Sequence, residues 1–354
     1  METETARCET LIGLVAHYSP SGQEHEAAAW LTERMRSLGY NRAFIDEAGN
    51  AVGVLGNGPH QIVLLGHIDT VPGELPVHVS EGVLYGRGAV DAKGPLAAFT
   101  DGAARLGAIP GWQIVVIGAV NEEADSSGAH YAVSQYTPEF AVIGEPNRWQ
   151  RIALGYKGTA HAQVTFTRPQ AHSASGGETA CEAAFALWQA VLAYKAAFNQ
   201  DLPRVFDQVL PNLQSMQSGQ DEFHQWAELN IGVRLPPSLN PAQWYEQLDV
   251  LAAGAKVSRL GDALPAWTCE KNSRLVRAFL GSIRAQGGTP AFVYKTGTAD
   301  LNIVAPAWGC PALVYGPGDS ALDHTPDEQL PLADYLQSVA VIHGAIEKVT
   351  RDSI

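Results

Sequence analysis

The chain has 354 residues, of which 46% are hydrophobic and 17% are charged, a composition that excludes an intrinsically disordered protein. Its length favours two domains. It contains 23 Lys and Arg residues and 37 Asp and Glu residues. The resulting net charge of −14 argues against nucleic acid or an anionic membrane as a partner. We expect no membrane span, because no apolar run reaches the ~18 residues that one needs. We expect a cytoplasmic protein, because no signal peptide is recognisable and the four cysteines form no CxxC pair.

The first part of the chain reads as short buried strands that alternate with helices. Ser21 and Glu24 have the spacing of a capping box before a helix over Ala27–Leu38. Further helices are predicted over Pro95–Leu106 and Gly128–Ser134. Apolar runs predict buried strands, the last of them near the end of the chain, over Gln61–Leu65, Gln113–Val120, Phe140–Ile143 and Pro311–Tyr315. This alternation predicts an α/β sheet that is at least partly parallel and covered on both faces.

The middle of the chain has a different pattern, with strands whose side chains alternate between apolar and polar. The predicted order is β-α-β-β-α-β, an α+β (ferredoxin-like) arrangement. Five of these six elements are assigned: Gly158–Arg168, Thr179–Phe198, Glu228–Leu235, Ala242–Ala252 and Lys256–Leu260. We therefore expect one domain formed by 1–157 and 268–354, with a second domain, 158–267, inserted into it.

Imidazole and carboxylate side chains follow the predicted apolar strands or stand at the start of a helix. They are His67, Asp69, Asp91, Glu122, Glu123, Glu145, Asp323 and His324. Ligands of open α/β sheets bind outside the carboxyl ends of the strands, so these side chains are expected to converge. An acidic pair alone is usually solvated and a single histidine is usually structural. Their conjunction favours a hydrolytic zinc site, which could hold two metals if one carboxylate bridges.

Five ordered motifs resemble those of the dinuclear zinc amidohydrolases, the family of acetylornithine deacetylase, succinyl-diaminopimelate desuccinylase, aminoacylase and carboxypeptidase G-type metallopeptidases. The resemblance extends from about residue 10 to residue 345. The motifs are His67-x-Asp69, Gly86-Arg87-Gly88-x-x-Asp91-x-Lys93-Gly94, Glu122-Glu123, Gly144-Glu145-Pro146 and the late His324. The resemblance implies a zinc-peptidase catalytic domain with an inserted lid or dimerisation domain, and two Zn²⁺ per subunit for which Co²⁺ could substitute.

The same resemblance assigns roles to the motif residues. His67 and Glu145 would bind the first metal, Glu123 and His324 the second, and Asp91 would bridge them. Among the catalytic residues, Asp69 would orient His67 and Glu122 would be the general base. These assignments predict hydrolysis of an amide bond.

Residues of the inserted domain and of two late loops match further family features. His172 resembles the lid histidine that donates to the oxyanion, typically from the partner subunit, which implies a homodimer. Arg234 resembles an arginine that binds a substrate carboxylate, while Thr298 and Gly316 lie in loops similar to those that contact substrate backbone. Simpler interpretations remain open: a polar loop residue for His172, a surface arginine for Arg234 and turn formation for the glycine.

Within the family, the motif sequences are most similar to those of hydrolases acting on the acidic amino-group carrier protein LysW. This resemblance implies release of lysine or ornithine from the γ-carboxyl of its C-terminal glutamate, the last step of lysine biosynthesis through 2-aminoadipate. The most similar segments are 85–96, 154–158, 295–302 and 315–326. An acidic carrier should be repelled by a chain of charge −14, so a local basic rim is expected. The candidate groups are Arg148, Arg151 and Lys157, or Lys271, Arg274, Arg277 and Lys295.

Two alternatives remain at this level. Acetylornithine deacetylase, succinyl-diaminopimelate desuccinylase and dipeptidases share the predicted metal ligands, so the ligands cannot separate them. A non-enzymatic scaffold that binds metal is the second alternative. An intact Glu122 argues against it, because a structural metal site needs ligands but no base.

Overall fold

The structure is a computed structural model that describes residues 6–172, 174 and 176–351. The strands are β1 (Arg42–Ile45), β2 (Ala51–Gly56), β3 (His60–His67), β4 (His78–Ser80), β5 (Val83–Tyr85), β6 (Trp112–Ala119), β7 (Phe140–Gly144), β8 (Arg151–Tyr156), β9 (Gly158–Pro169), β10 (Leu210–Gln220), β11 (His224–Leu235), β12 (Lys256–Leu264), β13 (Trp267–Thr268), β14 (Ala291–Lys295), β15 (Ala312–Val314) and β16 (Gln329–Pro331). The helices are α1 (Glu9–Ala16), α2 (His25–Ser37), α3 (Lys93–Leu106), α4 (Ser127–Gln135), α5 (Ala180–Asn199), α6 (Pro241–Leu251), α7 (Arg274–Ala285), α8 (Leu301–Trp308) and α9 (Leu332–Arg351), with short 3-10 helices at Ala6–Cys8 and Val205–Asp207.

The chain forms two compact units. The first contains Met1–Gly155, Cys269–Tyr294 and Ala299–Ile354, and the second contains Tyr156–Thr268 and Lys295–Thr298. The short segment Lys295–Thr298 thus packs with the second unit although most of its sequence neighbours belong to the first. In the part of the chain that the structure describes, no helix has the length and apolar character needed to cross a membrane.

The first unit is built on a mixed sheet whose strands follow the order β1-β2-β6-β3-β7-β15-β8, with β14 paired to β8. Strands β6, β3, β7 and β15 run parallel to one another, while β2 pairs antiparallel with β6. Successive residues along β3, β6 and β7 are buried, because both faces of the sheet are covered. The predicted α/β sheet is confirmed.

Helices bury the sheet of the first unit. Helix α3 packs on β3, β6 and β7, and α1 and α9 contact α3 in turn. Helix α7 contacts α9, while α4 and α8 contact each other. The large fully buried side chains Trp112, Phe99 and Phe279 belong to this core. A core of this extent keeps the parallel strands fixed, and with them the loops that follow the strands.

The second unit contains the elements β9-α5-β10-β11-α6-β12. Its sheet has the order β10-β11-β9-β12, and every neighbouring pair is antiparallel, which is the ferredoxin-like arrangement expected from the sequence. Alternate residues such as Val164, Leu229 and Ile231 are buried under α5 and α6. Both helices begin with a capping box, at Thr179 and at Asn240.

The capping box predicted from Ser21 and Glu24 is wrong. Helix α2 begins at His25, and its N-cap residue Glu24 makes no side-chain cap. The Ser21 hydroxyl donates instead to the Asp69 carboxylate at 2.7 Å, and Glu24 accepts from the backbone amide of Asn121 at 3.1 Å. Both residues lie before a helix, which explains the prediction, but they do not bond to each other: Glu24 also accepts from the Gly22 amide, and the other partners lie far away along the chain.

Candidate metal centre

Three neighbouring parallel strands end at the same edge of the sheet. Strand β3 ends at His67, and in the strand register His67 lies beside Ala119 of β6. On the other side of β3, Gly66 pairs with Gly144, the residue before Glu145. Since β6 leads directly into Glu122 and Glu123, the register brings imidazole and carboxylates together.

His67 is held by a defined pair of contacts. Its ring is 1% exposed, and its Nδ1 lies 3.0 Å from the backbone carbonyl of Asp69. A carbonyl can only accept, so Nδ1 carries the proton and donates it. The Nε2 atom then faces the Asp91 carboxylate, 3.1 Å away, and is the ring nitrogen that can bind a metal.

Asp69 organises the loop that carries the acidic pair. Its carboxylate is fully buried and accepts from the backbone amides of Glu122 and Glu123, both at 3.1 Å. Ser21 supplies a further donor to the same carboxylate. Asp69 therefore fixes the backbone of two residues predicted to act at the site, besides holding His67.

His324 approaches the same centre from a loop before β16. Its Nε2 atom lies 3.0 Å from Asp91 and 2.9 Å from Glu123. The backbone of His324 has φ of 62°, and that of Asn121, beside the acidic pair, has φ of 60°. This left-handed conformation is unfavourable for residues other than glycine and marks loops that their surroundings hold in place.

These side chains form three groups whose donor atoms lie within 4.8 Å of one another. Two groups share the Asp91 carboxylate, whose two oxygens face different imidazoles. The groups are His67, Asp91 and Glu145; His67, Glu122 and Glu123; and Asp91, Glu123 and His324. Nitrogen and oxygen donors around one shared carboxylate fit a pair of divalent cations, so the residues present suit a dinuclear site.

The electrostatics agree with this fit. Burial raises the pKa of Glu122 and of Glu145 well above the usual range, and neighbouring carboxylates add to the effect. Burial likewise raises the pKa of Asp300 to about 7. Hydrogen bonds with Asp91 and Glu123 raise the pKa of His324 to about 10. Several carboxylates thus lie close together with few positive charges nearby. Bound cations would reduce the electrostatic repulsion among them.

Sequence reasoning missed several residues that support the centre. Asp300 is 1% exposed and precedes α8, and its charge acts on both Glu122 and Glu145. Glu24 and Glu328 are buried and accept from loop amides. Asp300 lies in the segment 295–302, which was already singled out by its resemblance to the family, so its position was a usable signal. Glu24 and Glu328 gave none, because a buried glutamate and a surface glutamate look alike in a single sequence.

The other predicted site residues are Arg234, Thr298 and His172 in the second unit and Gly316 in the first. In the second unit, the Arg234 guanidinium donates to the Thr298 hydroxyl at 2.9 Å. His172 is exposed, and its Nδ1 accepts from the Ala174 amide at 3.1 Å, which leaves the proton on Nε2. In the first unit Gly316 is buried, and a Cβ there would come within 2.7 Å of the Glu145 carbonyl oxygen. A side chain at this position would displace the Glu145 loop.

The predicted basic rim fails for one member of its first group. Lys157 is completely buried, and its ammonium donates to the backbone carbonyls of Val205, Phe206 and Gln208. Burial lowers the pKa of Lys157 to about 8. This lysine therefore serves internal packing of the second unit and cannot lie on a surface that an acidic partner would contact.

The donor groups at the strand ends, together with the family match that follows, identify the class of protein as a metal-dependent hydrolase of amide bonds. The model of Peptidase family M20/M25/M40 matches residues 63–348. The chain belongs to this family.

Two curated relatives extend over almost the whole chain. A [LysW]-lysine hydrolase from Deinococcus radiodurans is 46% identical over 340 residues, covering 94% of this chain and 93% of the relative. A [LysW]-lysine/[LysW]-ornithine hydrolase from Saccharolobus islandicus is 26% identical over 348 residues, covering 98% and 96%.

A solved structure shares the fold. It is the YXEP protein of Bacillus subtilis, described as a dinuclear metal binding peptidase from the M20 family. The TM-score is 0.70 at 14% identity, and the match covers 99% of both chains. At this level of identity the likeness concerns the fold alone.

Proposed function

We propose that the protein hydrolyses the amide bond joining lysine, or ornithine, to the γ-carboxyl of the C-terminal glutamate of the carrier protein LysW. The reaction would release the free amino acid as the last step of lysine biosynthesis through 2-aminoadipate. The observation that carries the chemistry is the set of donors around Asp91. The choice of substrate is supported by the curated relatives, whose names specify [LysW]-lysine and [LysW]-ornithine.

Two Zn²⁺ ions are proposed as the cofactors, and Co²⁺ could replace them. His67 and Glu145 would hold one cation, Glu123 and His324 the other, and Asp91 would bridge both. When bound, the cations would lower the pKa of a water molecule and polarise the substrate carbonyl. Asp69 would keep the His67 ring and its tautomer fixed.

Glu122 is proposed as the general base. Its backbone is fixed by Asp69, so its carboxylate has a restricted position near the donors. In the metal-free protein, burial raises the pKa of Glu122 well above the usual range. Bound cations would oppose this shift and keep the carboxylate ionised, the form in which it can accept a proton. Glu122 would take a proton from the attacking water and return it to the leaving amine.

Substrate contacts are proposed for four further residues. The Arg234 fork, steadied by Thr298, suits the α-carboxylate of the leaving amino acid. Gly316 lies in a loop proposed to contact substrate backbone, and its lack of a side chain permits close packing against the Glu145 carbonyl. His172 would donate its Nε2 proton to the developing oxyanion, and the second unit as a whole would serve as a lid and dimerisation domain.

A homodimer is proposed, with the second unit as its contact. Helix α5 is apolar on most of its circumference, and Phe185 is 61% exposed. A helix that is hydrophobic on all sides is normally buried. Strand β10 is at the end of its sheet and contains no charged residue. Pro211 and the register shift between Leu213 and Ser215 disrupt its first part, so residues 216–220 are the stretch open to pairing. Sedimentation velocity should therefore give a dimer, and Phe185→Lys should shift it towards monomer.

The experiment that tests the activity compares two substrates on the purified protein loaded with Zn²⁺ or Co²⁺. One is the LysW-γ-lysine conjugate and the other is N-acetylornithine, and the released amino acid is measured. We expect cleavage of the carrier conjugate and its loss after removal of metal by a chelator. Cleavage of acetylornithine alone would reject the carrier substrate and favour a deacetylase. If neither substrate is cleaved while metal is bound, the proposal is rejected and dipeptides become the substrates to test.

A further inference from the structure

Glu328 is a buried carboxylate outside the donor groups. It is 1% exposed and stands directly before β16, four residues after His324. One of its oxygens accepts from the backbone amides of Val90 and Asp91, at 2.9 and 3.0 Å. The loop that presents Asp91 is therefore tied by its backbone to the loop that presents His324.

Arg87 completes this connection from the other side. Its Nη1 atom donates to the second oxygen of Glu328 at 2.9 Å and to the Thr325 carbonyl at 3.1 Å. Its Nε atom donates to the Gly73 carbonyl at 2.9 Å. Both ends of the ion pair are almost fully shielded from solvent, with side-chain exposures of 8% and 1%.

We propose that Glu328 and Arg87 are positioning residues that set the distance between Asp91 and His324, and thereby the affinity for the second metal ion. The inference rests on the proposed function, because it takes the group of Asp91, Glu123 and His324 as a cation site. Glu328 fixes the Asp91 backbone, and Arg87 fixes Thr325, the neighbour of His324. Each residue therefore acts on one side of that group.

The two cation positions should respond differently. His67 is the last residue of β3 and Glu145 follows β7, so both are held by the parallel sheet independently of Glu328. His324 is half exposed and comes from a loop whose backbone is anchored through Arg87. Removing the anchor should weaken the position that contains His324 more than the position that contains His67.

The test is a titration of metal-free protein with Co²⁺, followed by visible absorbance, for the wild type and for Glu328→Ala. We expect the second equivalent to bind about 10–100-fold more weakly in the variant. The first equivalent should lose less affinity, because Asp91 belongs to both groups but His67 and Glu145 do not depend on Glu328. Glu328→Gln keeps an oxygen for the two amides but presents an amide group to Arg87. It should retain the fold and show a smaller loss in the same direction.

Asp101 provides the matched control. It is a buried carboxylate that accepts from the hydroxyls of Thr10 and Tyr335 and contacts no candidate ligand in the described structure. Asp101→Asn should leave both Co²⁺ affinities unchanged even if the melting temperature changes. Equal weakening of both equivalents in the Glu328 variants, or no weakening, would overturn the proposal.

A second readout needs neither metal nor substrate. Amide hydrogen exchange in the metal-free protein should be faster across residues 86–93 in Glu328→Ala, and unchanged there in Asp101→Asn. Unchanged exchange in Glu328→Ala would contradict the anchoring. If the wild type binds two Co²⁺ but cleaves no conjugate, the proposed substrate fails while the positioning role stands. If the conjugate is cleaved and Glu328→Ala binds both ions normally, only the positioning role fails.

Discussion

The two units hold their candidate residues in different ways. In the first unit His67, Asp69 and Glu145 are at most 7% exposed, and they follow strands of a buried parallel sheet. In the second unit Arg234 and His172 are exposed, one on the outer face of β11 and the other in a loop. A buried sheet gives a fixed arrangement, whereas exposed side chains can adjust when a substrate arrives. We infer that the first unit is preorganised for chemistry and the second is suited to recognition.

The distribution of charge follows the same division. The first unit holds 15 of the 23 Lys and Arg residues and 27 of the 37 Asp and Glu residues, and the second holds the remaining eight and ten. Most of the net charge of −14 therefore belongs to the unit with the metal donors, where carboxylates are needed. An acidic carrier would meet less repulsion on the second unit, so a strongly basic rim is less necessary than the whole-chain charge suggests.

The largest expected effect concerns Glu122 and tests whether the first unit is preorganised. Asp69 holds the amide of Glu122 and makes no contact that depends on the Glu122 carboxylate. Glu122→Gln should therefore leave the fold and the stoichiometry of bound metal unchanged while kcat falls by about 10²–10⁴-fold, the usual contribution of a general base. Metal content and kcat are measured on the same preparation.

Asp69→Asn is the comparison variant for this prediction. The variant keeps the shape of the side chain but weakens the hydrogen bonds that residue 69 accepts from the two amides and from Ser21. It should therefore lower the metal content as well as kcat. If Glu122→Gln loses metal to the same extent as Asp69→Asn, the carboxylate of Glu122 is a ligand and its assignment as base is wrong.

The sequence predicted the parts of the fold that depend on local patterns. Buried strands such as β3 and β6 are recognisable as continuous apolar runs, and most of α3 was predicted, although the helix begins at Lys93, two residues before the predicted start. The strand-end histidine and carboxylates were recognisable because strand ends are where ligands bind in such sheets. Their roles as ligands and base remain predictions that the experiments above address.

What the sequence could not provide was the long-range partner of a polar side chain. Glu24 looked like half of a capping box and instead accepts from the amide of Asn121, 97 residues away. Lys157 looked like a surface charge and instead donates to three buried carbonyls. Such partners are fixed by tertiary packing, which leaves no periodic trace in a single sequence.

A smaller effect is expected at Arg234, and it tests the assignment of recognition to the second unit. Arg234→Met removes the guanidinium fork from an exposed position, so stability should change by no more than about 0.5 kcal/mol. Loss of a charged hydrogen bond to the substrate carboxylate should raise KM about tenfold, from about 1.5 kcal/mol, with a smaller change in kcat. Arg234→Lys should recover part of KM, since it keeps the charge without the fork. An unchanged KM would remove Arg234 from substrate recognition.

The last expected effect is the pH dependence of metal binding, which should belong to the first unit alone. In the metal-free protein the pKa of His324 is raised to about 10, so its ring holds a proton at pH 7 that a cation must displace. Affinity for Co²⁺ should therefore increase as pH rises from 6 to 8, by about tenfold per pH unit for each proton released, and level off above the raised pKa. The pKa of His67 is also raised, by its hydrogen bonds with Asp69 and Asp91 against the opposing effect of burial.

Titration calorimetry in buffers of different ionisation enthalpy counts the protons released. A Co²⁺ affinity that does not change with pH would show that neither imidazole is a ligand, whereas recognition through Arg234 should stay constant over the same range because a guanidinium keeps its charge.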